Sequence, residues 1–277
     1  MRSWRASIRL ATEKRGGSTR LSFLKHEGPL RVQRPFLQND GSCHIYLIHP
    51  PGGVVGGDSL LVHFEGHKKT NTLITSSAAA KFYSCEGGLP DQEITQDFKI
   101  DKGALLEWVP QESIFFEGSK TQVSNRITLS DESRFLGWDI IVLGRMTSSK
   151  KPFGGALRSS TTIMKDERLI HRDFFEYSPT MGTRAWGLQG KHVLGSLIAT
   201  SAYIEDDEFS RLVSFSLKKI GTDSFGGTKK KGLFLLRYLG SSVEECKHGF
   251  YVAREIMHQN EALMLGCDGE RPRIWDY

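Results

Sequence analysis

Residues 52–59 read GGVVGGDS and meet the phosphate-loop pattern G-x-x-x-x-G-K-[ST] at every defined position but one, where Asp58 stands in place of the lysine. A loop of this kind binds phosphate when a strand leads in and a helix leads out, because helix N-terminal N–H groups and the lysine meet the anion. Here the following residues alternate: Leu60, Val62 and Phe64 with Leu61, His63 and Glu65. That is strand period, and a carboxylate at the lysine position repels a triphosphate. The residues describe a stiffened turn instead. His49-Pro50-Pro51 fix the approach, and Gly52-Gly53 and Gly56-Gly57 permit positive φ.

Other carboxylates are better placed for chemistry. Asp139 lies within FLGWDIIVLG and Glu107 within ALLEWVP, both apolar strand-like runs. A buried carboxylate is costly unless it is paired, hydrogen-bonded or bound to a cation. Glu112 and Glu117 flank IFF, and Glu176 closes RDFFE. The ordinary expectation for each is a salt bridge, to Lys81 or Arg145 for example. Several acids in one β-rich interior would instead make a route for a divalent cation, held weakly enough to be passed on. His63 and His67 would share a metal only on a helix; on a strand and beyond a glycine they read as solvent-exposed. No G-x-S-x-G elbow or nucleophile–base pattern occurs.

The elements that must hold these groups are mostly strands. Trp4, Ala6, Ile8 and Leu10 alternate with polar residues, and strand patterns recur at 44–49, 60–64, 72–75, 93–100, 105–109, 122–129 and 135–143. Short strands separated by glycines imply an all-β sandwich, barrel or solenoid more than a βαβ fold. Helical spacing appears only toward the C-terminus. Phe209, Leu212, Val213, Leu217 and Ile220 share one face, with Asp206 or Asp207 as N-cap and Gly221 at the end. In the second helix Ser242 and Glu245 form a capping box, with Val243, Cys246, Phe250, Ala253 and Met257 facing inward. The final ERPRIWDY reads as an extended tail. No repeat or low-complexity linker divides the 277 residues, so one domain over 1–277 is expected.

Composition narrows the partners. The net charge of +5 is modest, and Lys229-Lys230-Lys231 is a short basic run of the kind found in solvated turns, so nucleic acid is not expected. Cys43, Cys85, Cys246 and Cys267 contain no C-x-x-C pair and read as reduced thiols. The start MRSWRASIRL lacks the apolar core of a signal peptide, and runs such as LFLL and IIVL are too short for a bilayer. A cytoplasmic protein without a membrane partner is expected.

Six blocks in order then carry a resemblance: GPLRVQRPF (28–36), HIYLIHPPGGVVGGDSL (44–60), AAKFYS (79–84), GALLEWVPQESIFFEGS (103–119), FLGWDIIVLGR (135–145) and PRIW (272–275). Together they resemble the urease accessory protein family UreD, also called UreH, from near the start to the last residues. The resemblance implies a non-enzymatic protein built as a helical stack of strands, a β-solenoid with a few helices. It implies binding of apo-urease and, with UreF and through it the GTPase UreG, delivery of nickel along an internal passage. No cofactor would be held stably, nickel being in transit, and phosphate chemistry would belong to the GTPase. By position, Asp58 closes the HPPGG-x-x-GGD block, Lys81 lies in AAKFYS, and Trp138, Asp139 and Arg145 lie in the GWD block. Asp58 and Asp139 are the first candidates for the metal route, followed by Glu107 and Glu112, then Glu176. The stretch ITSSAAAKFYS departs from the family's Thr-Pro-Gly version.

A rival expectation needs no partners. A β-solenoid sugar hydrolase could use Glu107 and Glu112 as acid and base, with carboxyls roughly 5–9.5 Å apart. Residues five apart on one strand face opposite sides, unless Pro110 breaks that strand.

Overall fold

The computed structural model describes residues 3–85, 87–144, 153–200, 206–230, 232–259 and 269–276. A hairpin of β1 (Arg5–Arg15) and β2 (Ser18–Glu27) opens the chain, followed by the short pairings β3 (Arg31–Val32) and β4 (Phe36–Leu37). From β5 (Cys43–Ile48) to β14 (Ala156–Lys165) the longer strands alternate between two sheets. The first sheet receives β6 (Ser59–Gly66), β9 (Gln92–Ile100), β12 (Lys120–Leu129), β14 (Ala156–Lys165) and β15 (Arg168–Tyr177). The second receives β5, β7 (Asn71–Ser76), β10 (Leu105–Trp108), β13 (Arg134–Leu143), β16 (Val193–Thr200), β17 (Phe225–Lys230) and β18 (Leu233–Gly240). Short strands β8 (Ala80–Phe82) and β11 (Ser113–Phe115) pair with each other, and β11 also pairs with β13. The helices are α1 (Pro179–Thr183), α2 (Asp206–Ile220) and α3 (Val243–His258), with a 3-10 turn at Arg273–Asp276. The protein is thus mainly β, with its two longer helices toward the C-terminus. No described helix is long and apolar enough to cross a membrane.

The first sheet runs β15-β14-β12-β9-β6-β1-β2, and β1, β6, β9, β12 and β14 are parallel along it. In-register parallel pairing stacks like positions of successive strands. Phe64, Phe98, Ile127 and Ile163 form one inward row, each at most 1% exposed. One pleat along lies the row Val62, Gln96, Asn125 and Thr161, which is polar for three of its four members. Period-two alternation therefore places a polar band inside the space between the sheets.

β13 shares out its side chains in the same way. Phe135 and Leu143 belong to the core between the sheets, whereas Leu136, Trp138, Ile140 and Val142 belong to a second core beneath α3. The α3 residues Val243, Cys246, Phe250, Ala253 and Met257 are all buried there. Ser242 caps the helix by accepting the Glu245 N–H at 3.1 Å. The capping box is not reciprocated, because the Glu245 carboxylate instead accepts the Tyr238 and Thr222 hydroxyls at 2.6 and 2.8 Å. In α2, Leu217 and Ile220 pack on this second core, and Gly221 (φ +73°) ends the helix. Asp206 and Asp207 are both inside α2, and residues 201–205 before it lie outside the described ones.

Two sequence expectations are corrected at the ends. Trp4 is 53% exposed although Ala6, Ile8 and Leu10 are buried, because Trp4 precedes the first paired residue of β1. The tail is not extended: Trp275 donates its N–H to the Pro272 carbonyl and stacks on Tyr251 at 4.3 Å, closing a 3-10 turn. Cys43, Cys85 and Cys246 are buried free thiols, and Cys267 lies outside the described residues.

Candidate functional site

The turn at residues 49–58 is built as a brace. Gly52 and Gly57 adopt φ of +77° and +84°, the left-handed region that glycine enters without cost. Gly53 and Gly56 serve close approach instead, since a Cβ on them would lie 2.2 Å from the Tyr83 ring and 2.6 Å from Leu89. Val54 bridges to Phe82 of β8. The carboxylate of Asp58, 3% exposed, accepts the N–H of Trp4 at 2.7 Å and that of Val55 at 2.9 Å. Among the described residues no cationic side chain pairs with it, and it does not face open space. Two backbone donors that would otherwise be orphaned are satisfied by one side chain, which fixes the start of β1 against the start of β6.

Glu107 and Glu112 are tied to α3. Arg254 clasps Glu107 in a fork, Nε to Oε2 at 2.5 Å and Nη2 to Oε1 at 3.0 Å, and His258 Nε2 lies 3.2 Å from Oε1. Burial opposes ionisation of Glu107, but Arg254 and then His258 outweigh it and hold the carboxyl far below the usual range. The same Arg254 donates to the carbonyl of Gly269 at 2.9 Å, so the pair also anchors the tail. Glu112 pairs with Lys247 at 2.6 Å. Both acids thus reach the α3 side, against the parity argument, because β10 ends at Trp108 before Pro110. Their cations stand seven residues apart on α3, roughly 10 Å along the axis. Each carboxylate is already committed to a cation, which leaves no free acid–base pair of the hydrolase kind. Glu176 is exposed and pairs with Arg158 at 2.8 Å across β14 and β15. His63 is not simply solvated: its ring sits between Asp97 (3.1 Å) and Glu65 (3.0 Å) on the outer face of the first sheet. His67 is 3.4 Å from Asp101.

Asp139 is different. It projects from β13 into the space between the sheets, where a cavity of about 260 Å³ is enclosed by apolar side chains such as Leu60, Val62, Ile94 and Phe115. His49, Lys81, Ser76 and Gln96 also line this cavity. A second void of about 20 Å³ lies beside it, and Gln96, Trp108 and Asp139 line both. Asn125 Nδ2 donates to Asp139 Oδ2 at 3.1 Å. Burial, and then the neighbouring Asp173, push the Asp139 carboxyl up to about 6, while Arg237 and Asn125 pull it back only in part. Arg237 is occupied elsewhere, by Asp173 at 2.7 Å and the Ser196 hydroxyl at 2.6 Å. Burial also lowers the pKa of half-buried His49, against Asp58.

Of the acids picked from sequence, then, Asp139 lines the interior cavity, while Asp58, Glu107, Glu112 and Glu176 are engaged by backbone donors or basic side chains. Trp138, on the opposite face of β13, donates to the Pro110 carbonyl at 2.9 Å and packs on Phe250 and Trp275. Arg145 lies outside the described residues. Among the described residues no group of three or more His, Cys, Asp or Glu side chains is placed to hold a metal. Sequence reasoning missed Gln96, Asn125 and Thr161. Their signal was a polar residue at an inward parity position in three strands that register side by side.

Comparison with known proteins agrees along the whole chain. The family model described as UreD urease accessory protein matches residues 5–276. Urease accessory protein UreD of Saccharophagus degradans is 38% identical over 278 residues, covering 99% of this chain and 93% of that protein. The proteins of the same name from Pseudomonas putida (strain W619) and Escherichia coli are each 33% identical, over 98% of this chain and 94% and 96% of their own lengths.

Proposed function

The chain belongs to the UreD family of urease accessory proteins, and from that premise we propose that it is a non-catalytic scaffold delivering nickel to urease. In this reading it binds apo-urease and UreF in the cytoplasm, meets the GTPase UreG through UreF, and lets nickel pass through its own interior. The observation that carries the reading is Asp139, a carboxylate facing a cavity between two sheets with no basic side chain bonded to it among the described residues. Apart from polar residues such as His49, Ser76, Lys81 and Gln96, the walls are apolar and offer a hydrated ion little to bind, so it is not trapped in the wide part of the cavity. One carboxylate at the narrow end supplies the attraction. Nickel is cargo here, and no resident cofactor is part of the proposal.

The test is urease activation in cells lacking this chain, with bound nickel measured beside activity. Asp139→Ala should lower the nickel content of urease while the accessory complex still assembles. Normal nickel in urease made without the chain would overturn delivery. Failed assembly of the Asp139→Ala complex would make that residue structural.

A further inference from the structure

The first sheet ends on β15, and the outer edge of that strand is open. β14 pairs with it on one side, and no described strand pairs with it on the other. Open edges recruit further strands unless the sequence blunts them with proline, glycine, lysine or a bulge. β17, the edge of the second sheet, carries Gly226, Gly227 and Lys230. β15 reads RLIHRDFFEY and has none of these residues. The register shift of the β14–β15 pair falls between Ile163 and Met164, clear of the run from His171 to Tyr177.

Backbone parity fixes which groups face the open edge. Ala156 donates its N–H to the Ser119 carbonyl, so the even positions of β14 bond toward β12. The odd positions Leu157, Ser159, Thr161 and Ile163 then bond to Tyr177, Phe175, Asp173 and His171 of β15. That turns the N–H and C=O groups of Arg172, Phe174 and Glu176 away from β14. The side chains of these three residues stand on the outer face of the sheet, all of them exposed, Phe174 by 59%.

Arg, Phe and Glu at alternate positions are complementary to themselves when read in reverse. An antiparallel second copy with its dyad at Phe174 sets Arg172 opposite Glu176 of that copy, and Glu176 opposite its Arg172. The two Phe174 rings meet between the ion pairs, and each of the three residues exchanges backbone hydrogen bonds with its opposite. Arg158 takes only Oε1 of Glu176, which leaves Oε2 for the incoming guanidinium. Arg172 has no ion pair of its own among the described residues. A slip of two residues either way sets Phe174 against Arg172 or Glu176 and loses both ion pairs.

We infer that β15 is an interface between two copies of this chain, paired antiparallel about Phe174 so that two seven-stranded sheets become continuous. The contact is isologous, the same patch serving both copies. The seam is one strand wide, which makes the dimer weak and reversible. Neither the interior cavity nor nickel enters the argument, so it stands or falls apart from the delivery reading.

The experiment is sedimentation velocity on the full chain over ~1–200 µM, where the parent should shift from one copy toward two. Arg172→Glu and Glu176→Arg each set like charges opposite one another twice, and each alone should raise Kd at least ~10-fold. Mixed in equal amounts, the two variants regain both ion pairs and should associate with each other about as well as the parent does with itself. A variant that had merely lost its fold could not be rescued in this way. Phe174→Cys, at the dyad, should give a disulfide-linked dimer with copper–phenanthroline, above the background of the parent's own thiols. Arg172→Cys, which faces Glu176 of the second copy, should not. A parent that stays single over the whole range, single variants that associate as the parent does, a mixture without rescue, or equal cross-linking at both positions would each overturn the inference.

Discussion

Glu107 and Asp139 stand on hydrogen-bonded neighbours, β10 and β13, inside two of the most apolar runs of the chain. Their fates are opposite. Glu107 faces a helix, and a helix can project long cationic side chains onto a sheet, so Arg254 and His258 close around it. Asp139 faces another sheet, whose inward positions at that level are Gln96, Asn125 and Thr161. Short amide and hydroxyl side chains donate one bond to it and no charge. The layer opposite, more than the run around it, decides whether a buried acid becomes a staple or keeps a free valence. Burial of a charge is costly in both cases. Only the first is compensated in full; Arg237 and Asn125 offset the second in part.

Three changes bear on that contrast, and the largest effect belongs to the staple. Arg254→Ala or Glu107→Ala leaves a buried charge unpaired and should destabilise the fold by about 3–5 kcal/mol in denaturant unfolding. Arg254→Ala should in addition free the tail, read as increased Trp275 fluorescence quenching, because the Gly269 carbonyl loses its donor. A loss below about 1 kcal/mol would mean that Glu107 is no better compensated than Asp139.

Asp139→Asn should act in the other direction. Its folded carboxyl is raised from 3.8 to about 6, so the wild-type chain loses stability as pH rises through that interval and recovers it as the group protonates. The asparagine variant lacks this slope. It should match the parent near pH 4 and exceed it by about 3 kcal/mol above pH 7 in metal-free buffer. A variant less stable than the parent at neutral pH would show Asp139 to be a second staple. The smallest effect is expected at Glu176→Ala. Its pair with Arg158 is 46% and 61% exposed, and thermal unfolding should move by no more than about 0.5 kcal/mol.

Much of the fold can be read in sequence where one face of a strand is apolar and the other polar. That holds for Leu60, Val62 and Phe64 of β6, and for α3 with its Val243, Cys246, Phe250, Ala253 and Met257 stripe. It fails for β14 and β2. In β14 the inward row carries Ser159 and Thr161, so the sequence ALRSSTTIMK shows little alternation although Leu157 and Ile163 are fully buried. In β2 the residues after Leu21 are exposed, and a strand open on both faces has no period to display. Glu112 was misdirected for a related reason: parity counting carries only as far as the strand continues, and β10 stops before Pro110.

The sequence by itself determined a mainly β chain, its C-terminal helices, its family and the short set of acids worth examining, because alternation, capping and motif order are local properties. Tertiary structure alone decided what each acid meets. Asp58 lies three residues from Val55 but fifty-four from Trp4, and Glu107 lies 147 from Arg254. The row Gln96, Asn125, Thr161 exists only once parallel strands register side by side. A carboxylate's chemistry depends on charge and donors within a few ångströms, and those neighbours are fixed when the sheets stack, not when the chain is written.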